Sequence, residues 1–339
     1  FVRFRHVHPR GRDYPDPHGL RGRMRAVRYT AYGSPDVLRL VEVPRPEPGP
    51  NQVLMRVHAG SVNPVDWKRA SGAYRLVLPV RFPSVPMFDA AGVVEAVGPG
   101  VTGFAPGARV HARITGDSGG AAAEYALVGV DQLAHTPDSM SDAEAAAIPL
   151  AGMTALQALR DHGGLPLSGA TQRVLVVGAS GGVGHLALQI ARAAGATVVG
   201  VCSARNAELV RSLGAHDVID YAAPDPYAGQ VAFDIVLDCV GADPGPFLPL
   251  TTATGRYVSC LPSPGNLLRT LLNPFSSRKV SAVMLSSNAA DLAWLDALYA
   301  SGGLRVVIDS RFPLARLSAA WQRSMSGRVV GKVIIDVTG

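Results

Sequence analysis

The run Arg-Val-Leu-Val-Val-Gly-Ala-Ser-Gly-Gly-Val-Gly at residues 173–184 constrains this chain more than any other stretch. Val174 to Val177 is a short apolar run that stops at Gly178, and further glycines follow at 181, 182 and 184. Leu186, Leu188, Ile190 and Ala194 then recur among small or polar residues until Gly195. The pattern predicts a strand over 173–178, a tight glycine turn and a helix over 183–194. In such a turn, backbone N–H groups and the helix N-terminus converge where a pyrophosphate fits. A Cβ would block either the turn or the approach of the phosphate, so glycines are required. The expectation is a dinucleotide-binding unit with Gly178, Ser180, Gly181, Gly182, Val183 and Gly184 as its candidate cradle.

The chain has 339 residues, enough for two domains with buried cores. No apolar run reaches membrane-spanning length, and no membrane partner is expected. The formal net charge is +6. Residues 1–23 hold six arginines against Asp13 and Asp16, so they carry +4 and leave only +2 for the rest. That balance gives no reason to expect a nucleic-acid partner. The opening segment has no hydrophobic period and reads as an extended or appended tail ahead of a start at Met24. The three cysteines, Cys202, Cys239 and Cys260, lie far apart without metal-ligand spacing, so a reduced, cytoplasmic setting is expected.

From residue 24 to about 148, short strands are expected at 24–29, 37–43, 53–59, 91–97, 109–114 and 124–128, punctuated by Gly and Pro. This reads as a compact, partly closed β-rich domain. Ser141 with Glu144 has capping-box spacing for a helix. Beyond it, helices at 154–162, 183–194, 206–213 and 289–300 mix with strands at 173–178, 197–202, 217–220, 233–239, 255–260 and 279–285. That alternation predicts an α/β fold with a doubly wound, parallel, six-stranded sheet over 149–285. Two late strands, 306–309 and 332–337, have no place in that sheet, so residues 286–339 are expected to return to the β-rich domain.

On these elements lie Gly60-Ser-Val-Asn63-Pro-Val-Asp66, Phe88-Asp89-Ala-Ala-Gly92-Val-Val-Glu95-Ala-Val-Gly98 and Ala179-Ser-Gly-Gly-Val-Gly184. Leu213-Gly-Ala-His-Asp-Val-Ile-Asp-Tyr221, Asp238-Cys-Val-Gly241 and Gly331-Lys-Val-Ile-Ile-Asp-Val337 follow in order. With these six pieces the chain resembles the medium-chain dehydrogenase/reductase superfamily, in its zinc-free quinone oxidoreductase and enoyl reductase-like branch. The resemblance implies a GroES-like catalytic domain joined to a Rossmann coenzyme domain. The zinc branch places a Cys where this chain has Asn63 and a His where it has Phe88, and it carries a four-cysteine structural cluster. Neither ligand set can be assembled here, so no metal is expected.

NAD-type sites carry an acidic residue at the end of the second strand to bond the ribose 2′-OH. This chain has Ser203-Ala-Arg205-Asn206 there, which favours a 2′-phosphate and hence NADPH; the alternative is that Ser203 or Asn206 caps a helix. The resemblance adds Tyr221 to that phosphate site, and Lys332 as charge near the adenosine phosphate, although Val330 replaces the Arg that commonly precedes the Gly-Lys pair. It also implies Thr154 and the backbone at Val240–Gly241 as nicotinamide contacts. Asn63 and Asp66 lie where relatives face the nicotinamide; Asn63 is the candidate amide donor and Asp66 an orienting group, or else a helix cap. The resemblance also implies Tyr74, in the Gly-x-Tyr segment where enoyl thioester reductases of the family carry a Tyr, as acid or oxyanion donor; the alternative is an aromatic lid over the pocket. Lys68, where some relatives have Tyr, Met87, where relatives usually have Gly, and Leu261 are expected to shape the substrate pocket.

The leading expectation is a metal-free, NADPH-dependent enzyme delivering hydride to a quinone or an α,β-unsaturated carbonyl compound. A reductase of one elaborate metabolite and a non-catalytic NADPH-binding protein are the alternatives. The run 279–285 would leave an apolar sheet edge exposed, so a homodimer through it is expected.

Overall fold

The structure, a computed structural model, describes residues 22–76, 78–115, 119–261, 269–271, 273 and 276–338. The tail expected over 1–23 lies outside the described residues as far as residue 21, and the first strand already begins at Arg23.

Strand β1 (Arg23–Arg28) pairs antiparallel with β2 (Arg39–Pro44). Next come β3 (Gln52–Val62), helix α1 (Pro64–Ala70), β4 (Asp89–Val97), β5 (Arg109–Arg113), β6 (Tyr125–Gly129) and β7 (Leu133–His135). The long β3 is the spine of the β-rich layer, pairing with both β4 and β6. Helix α2 (Asp142–Ala147) starts at the expected capping box, in which Glu144 N donates to Ser141 Oγ and Ser141 N to Glu144 Oε2. Helix α3 (Pro149–Gln157) starts earlier than the 154–162 expected, because Pro149 sits at its first turn with a ready-made helical φ.

The Rossmann half follows as β8 (Arg173–Val177), α4 (Gly184–Ala194), β9 (Thr197–Cys202), α5 (Ala207–Ser212), β10 (Asp217–Asp220), β11 (Phe233–Asp238), β12 (Thr251–Ser259) and β13 (Lys279–Ala282). These strands form one parallel sheet in the order β10-β9-β8-β11-β12-β13. The strand order reverses between β8 and β11, the place where an open sheet binds its ligand. Helix α6 (Ala289–Ala300), β14 (Ile308–Pro313), α7 (Leu317–Met325) and β15 (Lys332–Asp336) complete the chain. Strands β14 and β15 extend the β-rich sheet, β15 lying antiparallel to β3 with Val333 opposite Val62.

Two elements near the C-terminal end depart from the sequence reading. The 306–309 strand begins two residues later and runs on to Pro313. Helix α7 was not foreseen, although Leu317, Ala320 and Trp321 recur on one face and are all buried. One core is continuous across the two sheets: Ala59, Ala91 and Ile334 pack in the same cluster as Leu156, Val176 and Leu188.

Candidate active site

The end of β3 delivers Asn63 to the seam between the sheets. Asn63 is the N-cap of α1, and Asp66 is the third residue inside it. Asp66 Oδ2 accepts from Asn63 N at 2.6 Å, while Asp66 N donates to Asn63 O at 2.9 Å. Asp66 therefore does what its capping alternative required, and it is buried rather than open to a substrate. Asn63 Nδ2 donates to Asp89 Oδ2 at 2.8 Å and to Ser61 O at 3.4 Å, and its Oδ1 accepts from Lys332 Nζ at 2.5 Å. Both amide hydrogens are engaged. This corrects the expectation that Asn63 offers its amide to a substrate.

Asp89, at the start of β4, is the hub beneath this loop. Its Oδ2 also accepts from Ser61 Oγ at 3.0 Å, its Oδ1 accepts from Leu150 N at 2.9 Å at the N-terminus of α3, and Lys332 Nζ lies 3.7 Å away. Phe88, at the position of a zinc ligand in the metal-dependent branch, has two guanidinium groups over its ring. Arg69 lies 5.5 Å and Arg113 5.3 Å from its ring centroid. Burial dominates the ionisation of the whole cluster. It pushes Asp66 up to about 8 and raises Asp89, while lowering Lys332 and Arg113. Asp66 thus carries a proton at neutral pH, while Asp89 is the carboxyl that gathers donors, from Ser61, Asn63 and Leu150, with Lys332 beside it. Asp66 Oδ1, Arg113 Nε and His185 Nε2 are buried here without a hydrogen-bond partner.

On the Rossmann side the glycine turn has the foreseen geometry. Gly178 takes φ +79°, and a Cβ on Gly184 would fall 2.1 Å from Gly178 O, so the strand-to-helix turn closes only without side chains there. The N–H groups of Gly182 and Val183 donate to no described acceptor. A pyrophosphate would satisfy them, so the residues fit a dinucleotide. His185, in the first turn of α4, donates from Nδ1 to Gly181 O at 2.9 Å, and burial pushes it down to about 4. It is therefore neutral.

A cleft of about 430 Å³ opens in front of this turn, lined by Gly178, Ser180, Gly181, Gly182, Ser203, Arg205, Tyr221 and Val240 among others. The structure brings these expected coenzyme residues together. No carboxylate lines the cleft among the described residues. Neither Ser203 nor Asn206 caps a helix with its side chain; Asn206 Nδ2 instead donates to Ser180 Oγ at 2.9 Å and steadies the turn. Val240 N and Gly241 N both donate to Asp238 Oδ1, whose other oxygen accepts from Tyr257 and Ser259. Asp238 thus shapes the loop that the resemblance marked only for its backbone.

Other expected residues lie elsewhere. Lys332 is not at the adenosine end: its stem packs against Gly182 and its ammonium turns inward to Asn63, leaving it 3% exposed. Thr154 is buried in the middle of α3, not at a helix start. Met87 is fully buried at φ +73°, with its methyl against Gly60, so it packs the core rather than lining a pocket. Lys68 lies over the Trp67 ring, and Leu261 packs against Gly241. Tyr74 is half-buried on the turn after α1, with no hydrogen bond from its hydroxyl to a described residue. Sequence reasoning missed Arg113, His185, Asp238 and Arg328. Arg328, four residues before Lys332 in the chain, lines the cleft.

Comparison with known proteins agrees with this geometry. The alcohol dehydrogenase GroES-like domain model matches residues 49–138, and the zinc-binding dehydrogenase model matches residues 213–335. The chloroplast envelope quinone oxidoreductase homolog of Arabidopsis thaliana is 38% identical over 323 residues, covering 92% of this chain and 98% of the relative. The human mitochondrial NAD(P)H oxidoreductase RTN4IP1 is 32% identical, covering 85% of this chain and 82% of the relative. The structure of the quinone oxidoreductase from Coxiella burnetii superimposes with a TM-score of 0.84 at 32% identity, covering 93% of this chain and 99% of the other. The chain belongs to the medium-chain dehydrogenase/reductase superfamily, among the quinone oxidoreductases, and is an NAD(P)H-dependent oxidoreductase.

Proposed function

We propose that the chain is an NADPH-dependent reductase that works without a metal and passes hydride to a quinone or an α,β-unsaturated carbonyl compound. The observation that carries the coenzyme reading is the carboxylate-free end of the cleft, where Ser203, Arg205 and Tyr221 lie with Arg328. Fixed guanidinium charges suit a phosphate dianion, whereas an NAD site would need an acceptor for the ribose hydroxyls. Tyr227 and Phe247 add an aromatic wall to the same cleft, suited to an adenine ring.

NADPH, when bound, supplies the hydride. The protein's residues supply the rest. The glycine turn and Asp238-held loop orient the coenzyme, and the buried core across the seam keeps water from its floor. Lys332 and Arg113 set two basic side chains beside the Asn63 loop, which favours a substrate that gains negative charge on reduction. Quinones and enones do so, because the added electron pair delocalises onto oxygen. A ligand set for a Lewis acid is replaced by Asn63, already engaged by Lys332 and Asp89, and by Phe88. The phenol of Tyr74, or water, would protonate the product anion.

The test is NADPH oxidation with a panel of small enones and benzoquinones. Turnover is expected with members of that panel, and Tyr74→Phe is expected to lower kcat on the enones by roughly 10²-fold, the lower end for a general acid. No turnover across the panel would overturn the reading.

A further inference from the structure

We propose that Lys332 is a positioning residue that locks the amide of Asn63 and holds the glycine turn in register with the Asn63 loop; this rests on the coenzyme reading above. The lock follows from donor and acceptor chemistry. A lysine ammonium only donates and an ionised carboxylate only accepts. Asn63 must therefore turn Oδ1 to Lys332 Nζ at 2.5 Å and Nδ2 to Asp89 Oδ2 at 2.8 Å. The opposite orientation of the amide would set donor against donor and acceptor against acceptor. The three groups are almost fully buried, at 3%, 2% and 0% exposure for Lys332, Asn63 and Asp89, so water cannot replace either bond.

The same lysine is tied to the coenzyme side. Its neighbour Gly331 donates N–H to Ser180 O at 2.9 Å, inside the glycine turn. A Cβ on Gly182 would fall 3.4 Å from Lys332 Cδ, so the aliphatic stem lies directly against the turn. Its own N–H bonds Val307 O at 2.9 Å, and β15 pairs with β3 up to Val62, the residue before Asn63. Strand pairing, stem packing and ammonium thus fix three points of one rigid bridge. Sliding the glycine turn relative to the Asn63 loop would pull a buried charge off its partners, which is strongly unfavourable. The register of the glycine turn against the Asn63 loop is set through this contact.

The experiment follows Lys332→Met, Lys332→Gln, Asn63→Ala and the Lys332→Met/Asn63→Ala double variant by three readouts. These are NADPH affinity by nicotinamide fluorescence, kcat and KM in turnover, and hydrogen exchange of the Asn63 side-chain amide by NMR. Lys332→Met is expected to free the Asn63 amide to exchange and to lower kcat about 10-fold or more with NADPH affinity within about threefold, a coupling of ordinary size for contacting residues. The double variant is expected to lose no more than the worse single one. Lys332→Gln, whose amide still donates to Asn63 Oδ1, is expected to recover part of kcat, and it serves if the Met variant does not fold. Losses that multiply in the double variant, or an Asn63 amide equally protected in wild type and Lys332→Met, would overturn the proposal. So would a loss confined to NADPH affinity, which would make Lys332 a direct coenzyme contact. Wild type that binds no NADPH would overturn the functional reading instead, and the exchange readout would still judge the Lys332 contact.

Discussion

Asp66 shows how far one side chain's chemistry can sit from its residue type. In the sequence it is a carboxylate near a candidate site; in the fold it is a buried helix-capping acid held up to about 8. The unfolded chain releases that proton near the ordinary carboxylate value of 3.8, the folded chain only near 8. Between these values the native state binds more protons, so stability falls as pH rises and levels off above 8. Asp66→Asn keeps an oxygen for Asn63 N and has nothing to ionise. The variant is expected to gain on wild type from pH 4 to 8, with a constant gap beyond, as read by urea unfolding across pH. A gap independent of pH would show that Asp66 is ionised in the fold. Asn63 and Lys332 were legible as residues of interest, but not their roles. Which group an amide or an ammonium meets depends on Asp89, twenty-six residues from Asn63, and on β15 at the far end of the chain.

At the scale of elements, the strand–turn–helix at 173–194 was the most legible part of the chain, because steric demands on glycine act within a few residues. Gly184 tests that demand. A Cβ there would lie 2.1 Å from Gly178 O, a backbone atom that cannot move without opening the turn. Gly184→Ala is therefore expected to cost about 1–3 kcal/mol, the usual range for overpacking, and to weaken NADPH binding more than tenfold. Thermal unfolding and a fluorescence titration check the two effects separately; unchanged NADPH affinity would contradict the role given to the turn. Helix α7 was missed for the opposite reason. Its mean hydropathy is ordinary, Ser324 and Arg323 dilute the pattern, and its buried face of Leu317, Ala320 and Trp321 gains meaning only against the β-rich core. The coenzyme cleft was legible where residues follow their strand directly, as at Ser203 and Arg205. Arg328 reaches it from the loop between α7 and β15, far along the chain.

For the whole molecule, β14 and β15 lie in the sheet of β3, so the C-terminal part of the described chain returns to the β-rich layer after the Rossmann sheet. The six-stranded sheet ends at β13, an edge followed by the exposed Met284. We propose that this edge is covered by a second copy of the chain, in line with the expected homodimer. Sedimentation at micromolar concentration should give twice the chain mass, and a charged substitution at the exposed Met284, as Met284→Glu, should give monomers; a wild-type monomer would contradict it. The Pro- and Leu-rich run 261–278, which the sequence alone suggests as a variable substrate wall, falls mostly outside the described residues, so it contributes nothing to the substrate reading.

The central claim is that the carboxylate-free cleft end selects a 2′-phosphate. The direct measurement is the ratio of kcat/KM for NADPH over NADH with one accepted quinone or enone, in wild type and in Arg205→Ala. A charge-assisted contact of about 1.5–3 kcal/mol corresponds to roughly 10- to 100-fold. Wild type is expected to prefer NADPH by at least about tenfold, and Arg205→Ala to lose most of that preference while keeping its activity with NADH. Equal use of the two coenzymes by wild type, or a preference that survives Arg205→Ala unchanged, would contradict the claim.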